Sequence, residues 1–280
     1  MTGTELIAHI LKLEGIDMVT CFPSNALIES VAKEGIRPVM FRHERGAIMA
    51  ADGFSRVNDR KKFGVALMQH AAGAENSVGA IAQAFSDNVP ILVLPGGHPI
   101  EQKYVRPNFS AVDNYKNIVK SAETIYTTTQ ISDIMRRAFH ALKNGPPGPV
   151  VVEMSIDICE KEVPSSATSY HSPVPSTTVP SLNNIKEAVK LILNARNPMI
   201  WAGAGVLSSG GCNELKELSE LIEIPVFTTM EGKSAIDERH RLALGAGSGA
   251  TTWSAHKWIN ESDLVLAIGT SLSKNNYTQE

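Results

Sequence analysis

Four groups of polar residues follow apolar runs of the kind that form buried strands. They are Pro23-Ser24-Asn25, His43-Glu44, Gln69-His70 with Ala71-Ala72-Gly73, and Gly96-Gly97-His98. In an open parallel α/β sheet the loops after the strands gather at one edge, and ligands bind there. The four groups bring a carboxylate, an amide, a hydroxyl and imidazoles, a set suited to moving protons, because a neutral histidine takes up or gives up a proton near neutral pH. Taken singly, each residue also has a plain structural reading. A glutamate at a helix start complements the positive end of the helix, and a loop histidine often does no more than hydrogen-bond backbone.

The elements that must carry these residues alternate along the chain. Thr2 and Glu5 form a capping box, in which each side chain satisfies a free backbone donor of the other. The helix that follows places Leu6, Ile7, Ile10, Leu11 and Leu13 on an apolar stripe and is stopped at Gly15. A strand over 16–22 leads into the turn at 23–25, which offers a cap to a helix holding Leu27, Ile28 and Val31. Strand 38–41, helix 44–58, strand 63–68, helix 75–85, strand 90–94 and helix 131–142 continue the pattern. The sharp turn GPPGP at 145–149 then leads to strand 150–152. The runs 63–68 and 91–94 are apolar throughout rather than alternating, as in strands covered by helices on both faces, so a parallel sheet is expected.

Composition shifts to Ser, Thr and Pro over 163–180, which reads as a linker between a first domain at 1–162 and a second at 181–280. The second domain repeats the α/β pattern: helix 182–193, strand 199–201, the glycine turn Gly203-Ala204-Gly205, helix 213–222, and strands 225–229 and 264–268. A Rossmann-like unit would continue further, so the second domain is expected to be incomplete.

The string FRHERGAIMAADGFSR at 41–56 gives Glu44 its weight, together with GAEN at 73–76 and PGPV at 147–150. The three strings, in this order, resemble the pyrimidine-binding domain of thiamine-diphosphate enzymes of the acetolactate synthase and benzoylformate decarboxylase group. The resemblance runs in register from about residue 4 to about residue 271. It implies an enzyme that decarboxylates a 2-oxo acid or joins its acyl unit to an acceptor. Glu44 would be the carboxylate that shares a proton with the pyrimidine N1' and so helps the cofactor lose the proton on its thiazolium C2. Such a carboxylate needs an apolar setting, and the small residues Gly46, Ala47, Ala50 and Ala51 permit close packing around it.

By matching position, Pro23, Gly73 and Asn76 join Glu44 as cofactor contacts, and Ser24, Gln69 and His70 are candidate substrate contacts. Glu75 stands where the family usually has a small or hydroxyl residue, and either repels an anionic substrate or caps a helix. Gly53 matches a family glycine and reads equally as a helix-packing residue. The turn at 203–205 matches a middle domain that holds FAD in some members and is a plain packing turn in others. In such enzymes the cofactor lies between two chains, so a dimer or tetramer is expected through helices 44–58 and 75–86, with Ala47, Ala50, Ala51 and Gly79 allowing close approach.

The Gly-Asp-Gly motif that holds magnesium and the cofactor's diphosphate in this group does not occur in the sequence. Metal ligands are therefore expected outside this chain, and the chain alone is expected to be inactive. The expectation is of a truncated or split enzyme with a separate diphosphate-binding subunit; the alternative is a non-catalytic paralogue acting as a partner chain.

Composition excludes other classes. A formal charge of -3 gives no basic surface for nucleic acid or anionic lipid. Three widely spaced cysteines, Cys21, Cys159 and Cys212, suit neither zinc nor a disulfide framework and fit a cytoplasmic protein. No apolar run reaches the roughly 18 residues that cross a bilayer.

Overall fold

The structure, a computed structural model, describes residues 1–247 and 251–273. Two compact units divide the chain, Met1–Thr177 and Thr178–Glu280. In the first, helices and strands alternate as α1 (Gly3–Leu13), β1 (Met18–Cys21), α2 (Leu27–Lys33), β2 (Arg37–Met40), α3 (Glu44–Val57), β3 (Gly64–Met68), α4 (Ala72–Ser86), β4 (Ile91–Gly97), α5 (Ala111–Tyr115), β5 (Ser121–Ile125), α6 (Ile131–Lys143), β6 (Val150–Ser155) and α7 (Ile156–Cys159). The strands form one sheet in the order β2-β1-β3-β4-β6-β5, every pair parallel. The chain leaves β1 in one direction to β2 and in the other to β3, which makes the C-terminal ends of β1 and β3 a topological switch point.

Residues of β3, β4 and β6 are almost all fully buried, as their unbroken apolar runs require, and each sheet face has its own core. One side packs α1 and α6 through Leu6, Ile10, Met135 and Phe139. The other packs α3 and α4 through Ile48, Ala51, Ala80 and Ile81. Close approach of α3 to β3 depends on Gly64: a Cβ there would lie 2.3 Å from the Ala51 carbonyl oxygen.

The capping box forms as read. The Glu5 N–H donates to Thr2 Oγ1 at 3.3 Å, and the Thr2 N–H donates to Glu5 Oε2 at 2.9 Å. Thr2→Ala removes one acceptor and is expected to cost about 1 kcal/mol. All three tryptophans lie beyond residue 200, so their fluorescence does not report the first unit, and the measurement is far-UV circular dichroism during urea unfolding, which reads the helices of both units. An unchanged midpoint would show that the cap contributes nothing.

The segment read as a linker is tied to the first unit as far as Thr177. Ser132 Oγ donates to the Ala167 carbonyl at 2.7 Å, Lys143 Nζ to Ser172 Oγ at 2.8 Å, and Tyr170 to Glu14; the Ser176 N–H donates to Asn144 Oδ1 at 2.6 Å. A strap held by such side-chain bonds carries no helix or strand periodicity.

The second unit comprises α8 (Leu182–Asn194), β7 (Pro198–Ala202), α9 (Ala204–Ser209), α10 (Cys212–Ile222), β8 (Val226–Thr229), β9 (Ala243–Gly247), α11 (Trp253–Glu261) and β10 (Leu264–Ile268). Its parallel sheet runs β10-β7-β8-β9. The glycine turn after β7 packs on backbone: a Cβ on Gly203 would lie 2.3 Å from the Gly269 carbonyl oxygen, and one on Gly205 2.6 Å from Gly269 Cα. The Gly205 N–H donates to that same carbonyl at 2.8 Å. This is the geometry of a packing turn.

Candidate functional site

Glu44 is the first residue of α3, and only 2 % of it is exposed. His43 caps that helix, its Nδ1 accepting from the Arg45 N–H at 3.2 Å. Asn76 Nδ2, one turn into α4, donates to Glu44 Oε2 at 3.1 Å. The other carboxylate oxygen faces Gly73, where a Cβ would lie 2.9 Å from Oε1 and 2.8 Å from Gln69 Cβ. Glycine there leaves room that any other residue would fill. Glu44, Gln69, Gly73 and Asn76, separate in sequence, therefore form one cluster at the C-terminal edge of the sheet.

The β3–α4 connection is unusually tight. Ala71 has φ 50°, a left-handed conformation that costs a non-glycine residue free energy, and α4 begins directly after it. The helix thus starts at Ala72 rather than at 75, and both Gly73 and Asn76 are helical. Ser77 Oγ donates to the Gly73 carbonyl at 2.6 Å, and the wholly buried Tyr115 hydroxyl donates to that of Ala74 at 2.5 Å. These bonds hold the first turn of α4 against Glu44. Burial pushes the Tyr115 phenol well above its ordinary range, so it remains a donor at any physiological pH.

His70 and His98 lie edge to face, ring centroids 5.1 Å apart. Burial lowers the pKa of His98; the neighbouring His70 lowers it further, and Glu153 opposes both. β4 extends through Pro95 to Gly97, so Gly96 and Gly97 are strand residues paired with Met154 and Ser155 rather than a loop. Pro23 and Ser24 are exposed on the β1–α2 connection, and no side-chain hydrogen bond joins Ser24 to the Glu44 cluster among the described residues.

Asn25, not singled out from sequence as more than a turn residue, fixes that connection. Its Nδ2 donates to the carbonyls of Met68 at 2.7 Å and Leu94 at 3.0 Å, and its Oδ1 accepts from the Leu27 N–H at 2.9 Å. One side chain thereby joins the ends of β1, β3 and β4. Asn25→Ala is expected to destabilise the first unit by about 1–3 kcal/mol, the cost of leaving partly buried carbonyls without their donor. Asn25→Asp keeps the acceptor for Leu27 but turns a carboxylate oxygen towards two carbonyls, and should destabilise more than alanine. Urea unfolding of the two variants tests the ordering; an aspartate variant as stable as wild type would overturn the clamp.

Of the small residues of α3 and α4, Ala47 and Ala51 pack within the chain, whereas Ala50 is half-buried and Gly79 is exposed. Ala47 and Ala51 are wholly buried, Ala51 against its own sheet, and the space over Gly79 is taken by Arg45, whose Nη2 lies 2.6 Å from a Cβ built there. Exposed apolar side chains on these helices are Met49, Val57, Val78 and Phe85. Small residues at helical spacing serve tight packing within a chain as readily as between chains, so their pattern alone does not say which face is free.

The cluster holds one carboxylate almost wholly out of water, with an amide donor on one oxygen and a bare glycine against the other. No group of three or more His, Cys, Asp or Glu able to hold a metal ion occurs among the described residues. Among them, too, no helix is long and apolar enough to cross a membrane.

Comparison with known proteins agrees with this geometry. Residues 1–118 match the family described as thiamine pyrophosphate enzyme, N-terminal TPP binding domain, and residues 185–280 match the thiamine pyrophosphate enzyme central domain. A probable acetolactate synthase large subunit from Methanococcus aeolicus is 35% identical, over 98% of this chain and 47% of its own length. The acetolactate synthase isozyme 3 large subunit of Escherichia coli K12 is 29% identical over 96% of this chain and 48% of its own. A glyoxylate carboligase of Escherichia coli O157:H7 is 29% identical over 96% and 46%. The chain spans about half the length of these curated relatives. With two successive domain matches and these relatives in agreement with its parallel α/β units, the chain belongs to the thiamine pyrophosphate enzyme family.

Proposed function

We propose that this chain supplies the pyrimidine-binding side of a thiamine-diphosphate enzyme that decarboxylates a 2-oxo acid or transfers its acyl unit, as an acetolactate synthase does. The observation that carries this reading is the buried Glu44 carboxylate, with one oxygen bonded by Asn76 and the other facing the bare Gly73. When bound, the cofactor supplies a carbanion that adds to a carbonyl carbon and then stores the electron pair released on decarboxylation. Glu44 holds a proton at the pyrimidine N1', Asn76 orients the carboxylate, and Gly73 leaves the ring its place. Gln69 and His70 border the same edge and, in this reading, hydrogen-bond a substrate carboxylate or the oxygen derived from its carbonyl.

The sequence carries no Gly-Asp-Gly string. In this reading the diphosphate and its magnesium are held by residues that this sequence does not contain, and the working assembly is an oligomer in the cytoplasm. The test is a carbon-dioxide release and carboligation assay on the chain supplied with a diphosphate-binding partner, thiamine diphosphate and magnesium. Turnover that needs all of these is the expected result. A fully assembled preparation that binds the cofactor yet consumes no 2-oxo acid would overturn the catalytic reading in favour of a non-catalytic partner chain.

A further inference from the structure

His70 and His98 come from different elements, the β3–α4 connection and the end of β4, yet their rings meet at 5.1 Å and 82°. His98 has little freedom to move away. On its N-terminal side Gly97 abuts Glu153, whose Cγ lies 3.0 Å from a Cβ built there. On its C-terminal side the chain is anchored five residues on by Lys103, whose Nζ bonds Glu153 Oε2 at 2.5 Å and Thr124 Oγ1 at 2.6 Å, all buried. The Nε2 of His98 is buried and has no hydrogen-bond partner among the described residues. The charged groups facing this ring are His70 and, from β6, Glu153, which is already paired with Lys103.

We propose that His70 and His98 form one proton-holding pair, which takes up a first proton readily and resists a second. Two imidazolium charges about 5 Å apart repel by enough to shift a titration by at least roughly half a pH unit even at the dielectric constant of water. The second proton therefore enters only at a distinctly lower pH, and the two steps belong to the pair. The direction of the His98 shift, down by burial and then by His70, agrees with this coupling. The proposed function is needed only for the use of the proton, which would go to the oxygen derived from a 2-oxo acid carbonyl; the pair itself is a property of this chain.

The test is a pH titration of the imidazole nitrogens by NMR on the full chain with ¹⁵N-labelled histidine, without cofactor. His70→Gln and His98→Gln assign two of the eight histidines. The expected result is that His70→Gln raises the midpoint of His98 by about half a pH unit, and that the two-step titration of the wild type becomes a single sigmoid in either variant. A His98 midpoint unmoved by loss of His70, or single sigmoids in the wild type, would overturn the proposal. Should either variant lose its far-UV dichroism, the wild-type curves decide, since independent histidines give single sigmoids and a coupled pair gives two steps. Loss of turnover in Glu44→Gln bears on the proposed function alone and leaves this titration untouched.

Discussion

Glu44→Gln is expected to lower kcat of the assembled enzyme by roughly 10²–10⁴-fold, the usual effect of losing an acid–base group, while the first unit stays folded. The shape is retained: the glutamine carbonyl takes the place of Oε2 and accepts from Asn76 Nδ2, which leaves the amide nitrogen towards Gly73. What is lost is the oxygen that shares a proton. A neutral amide at a site only 2 % exposed costs less to bury than an ionised carboxylate and keeps the bond to Asn76, so stability should change by less than about 1 kcal/mol. Gly73→Ala gives an independent view of the same site. Its Cβ would come within 3.0 Å of both Glu44 Oε1 and Gln69 Cβ, so the carboxylate or the loop must shift, and cofactor affinity should fall along with kcat. Steady-state kinetics with thiamine diphosphate as the varied component separates the two effects. Equal rates for wild type and Glu44→Gln would remove Glu44 from the role of activating carboxylate.

The parts of this site that were legible in the sequence are those that repeat a local rule. Unbroken apolar runs at 63–68, 91–94 and 150–152 became the central strands β3, β4 and β6, because a strand covered on both faces has no solvent side to record. Of the polar groups after the strands, His43-Glu44 and Gln69 to Gly73 come together, whereas Gly96 and Gly97 stay within β4 and Ser24 makes no bond to the cluster among the described residues. Strand β5 escaped notice because Ser121-Ala122-Glu123-Thr124-Ile125 is a half-buried edge strand, polar at three positions of five. Strand β9, Ala243–Gly247, carries two glycines, one at φ +91°, and its register with β8 shifts at Val226/Phe227. Neither has a pattern that short-range reading detects. Asn25 reads as a turn residue until the fold brings Met68 and Leu94 to it, 43 and 69 positions away. Long-range hydrogen bonds of that kind leave no periodic trace. Glu153 was different: a carboxylate inside the run Val150–Ser155 is itself a signal, since a charge on a central strand must have a buried partner.

That partner leads to the largest expected effect on stability. Lys103→Met should destabilise the first unit by about 3–5 kcal/mol, because it leaves the Glu153 carboxylate buried without its cation. Side-chain exposure at both residues is 3%, and Nζ lies 2.5 Å from Oε2. Burial by itself pulls the pKa of Lys103 down, but the hydrogen bond and charge of Glu153 outweigh it, and the net shift is upward from the ordinary 10.5. A lysine raised in the folded state adds stability that is fully present below 10.5 and is lost as pH climbs through the higher folded value. Wild type should therefore lose this stability only in strong alkali, whereas Lys103→Met lacks it at every pH. Glu153 also accepts from the Ala111 N–H at 3.1 Å and from Thr124 Oγ1 at 2.9 Å, so its loss of charge need not cost those bonds. The double variant Lys103→Met/Glu153→Gln keeps an acceptor for them and removes the unpaired charge. It should recover much of the loss, since replacing both members of a buried pair is far less costly than removing one. Amide hydrogen exchange read strand by strand should place the loosening of the single variant in β5, β6 and the segment between Gly97 and Ala111, which these bonds hold to the sheet. A double variant no more stable than Lys103→Met would show that the lysine contributes through its packing and its bond to Thr124, and not by neutralising Glu153.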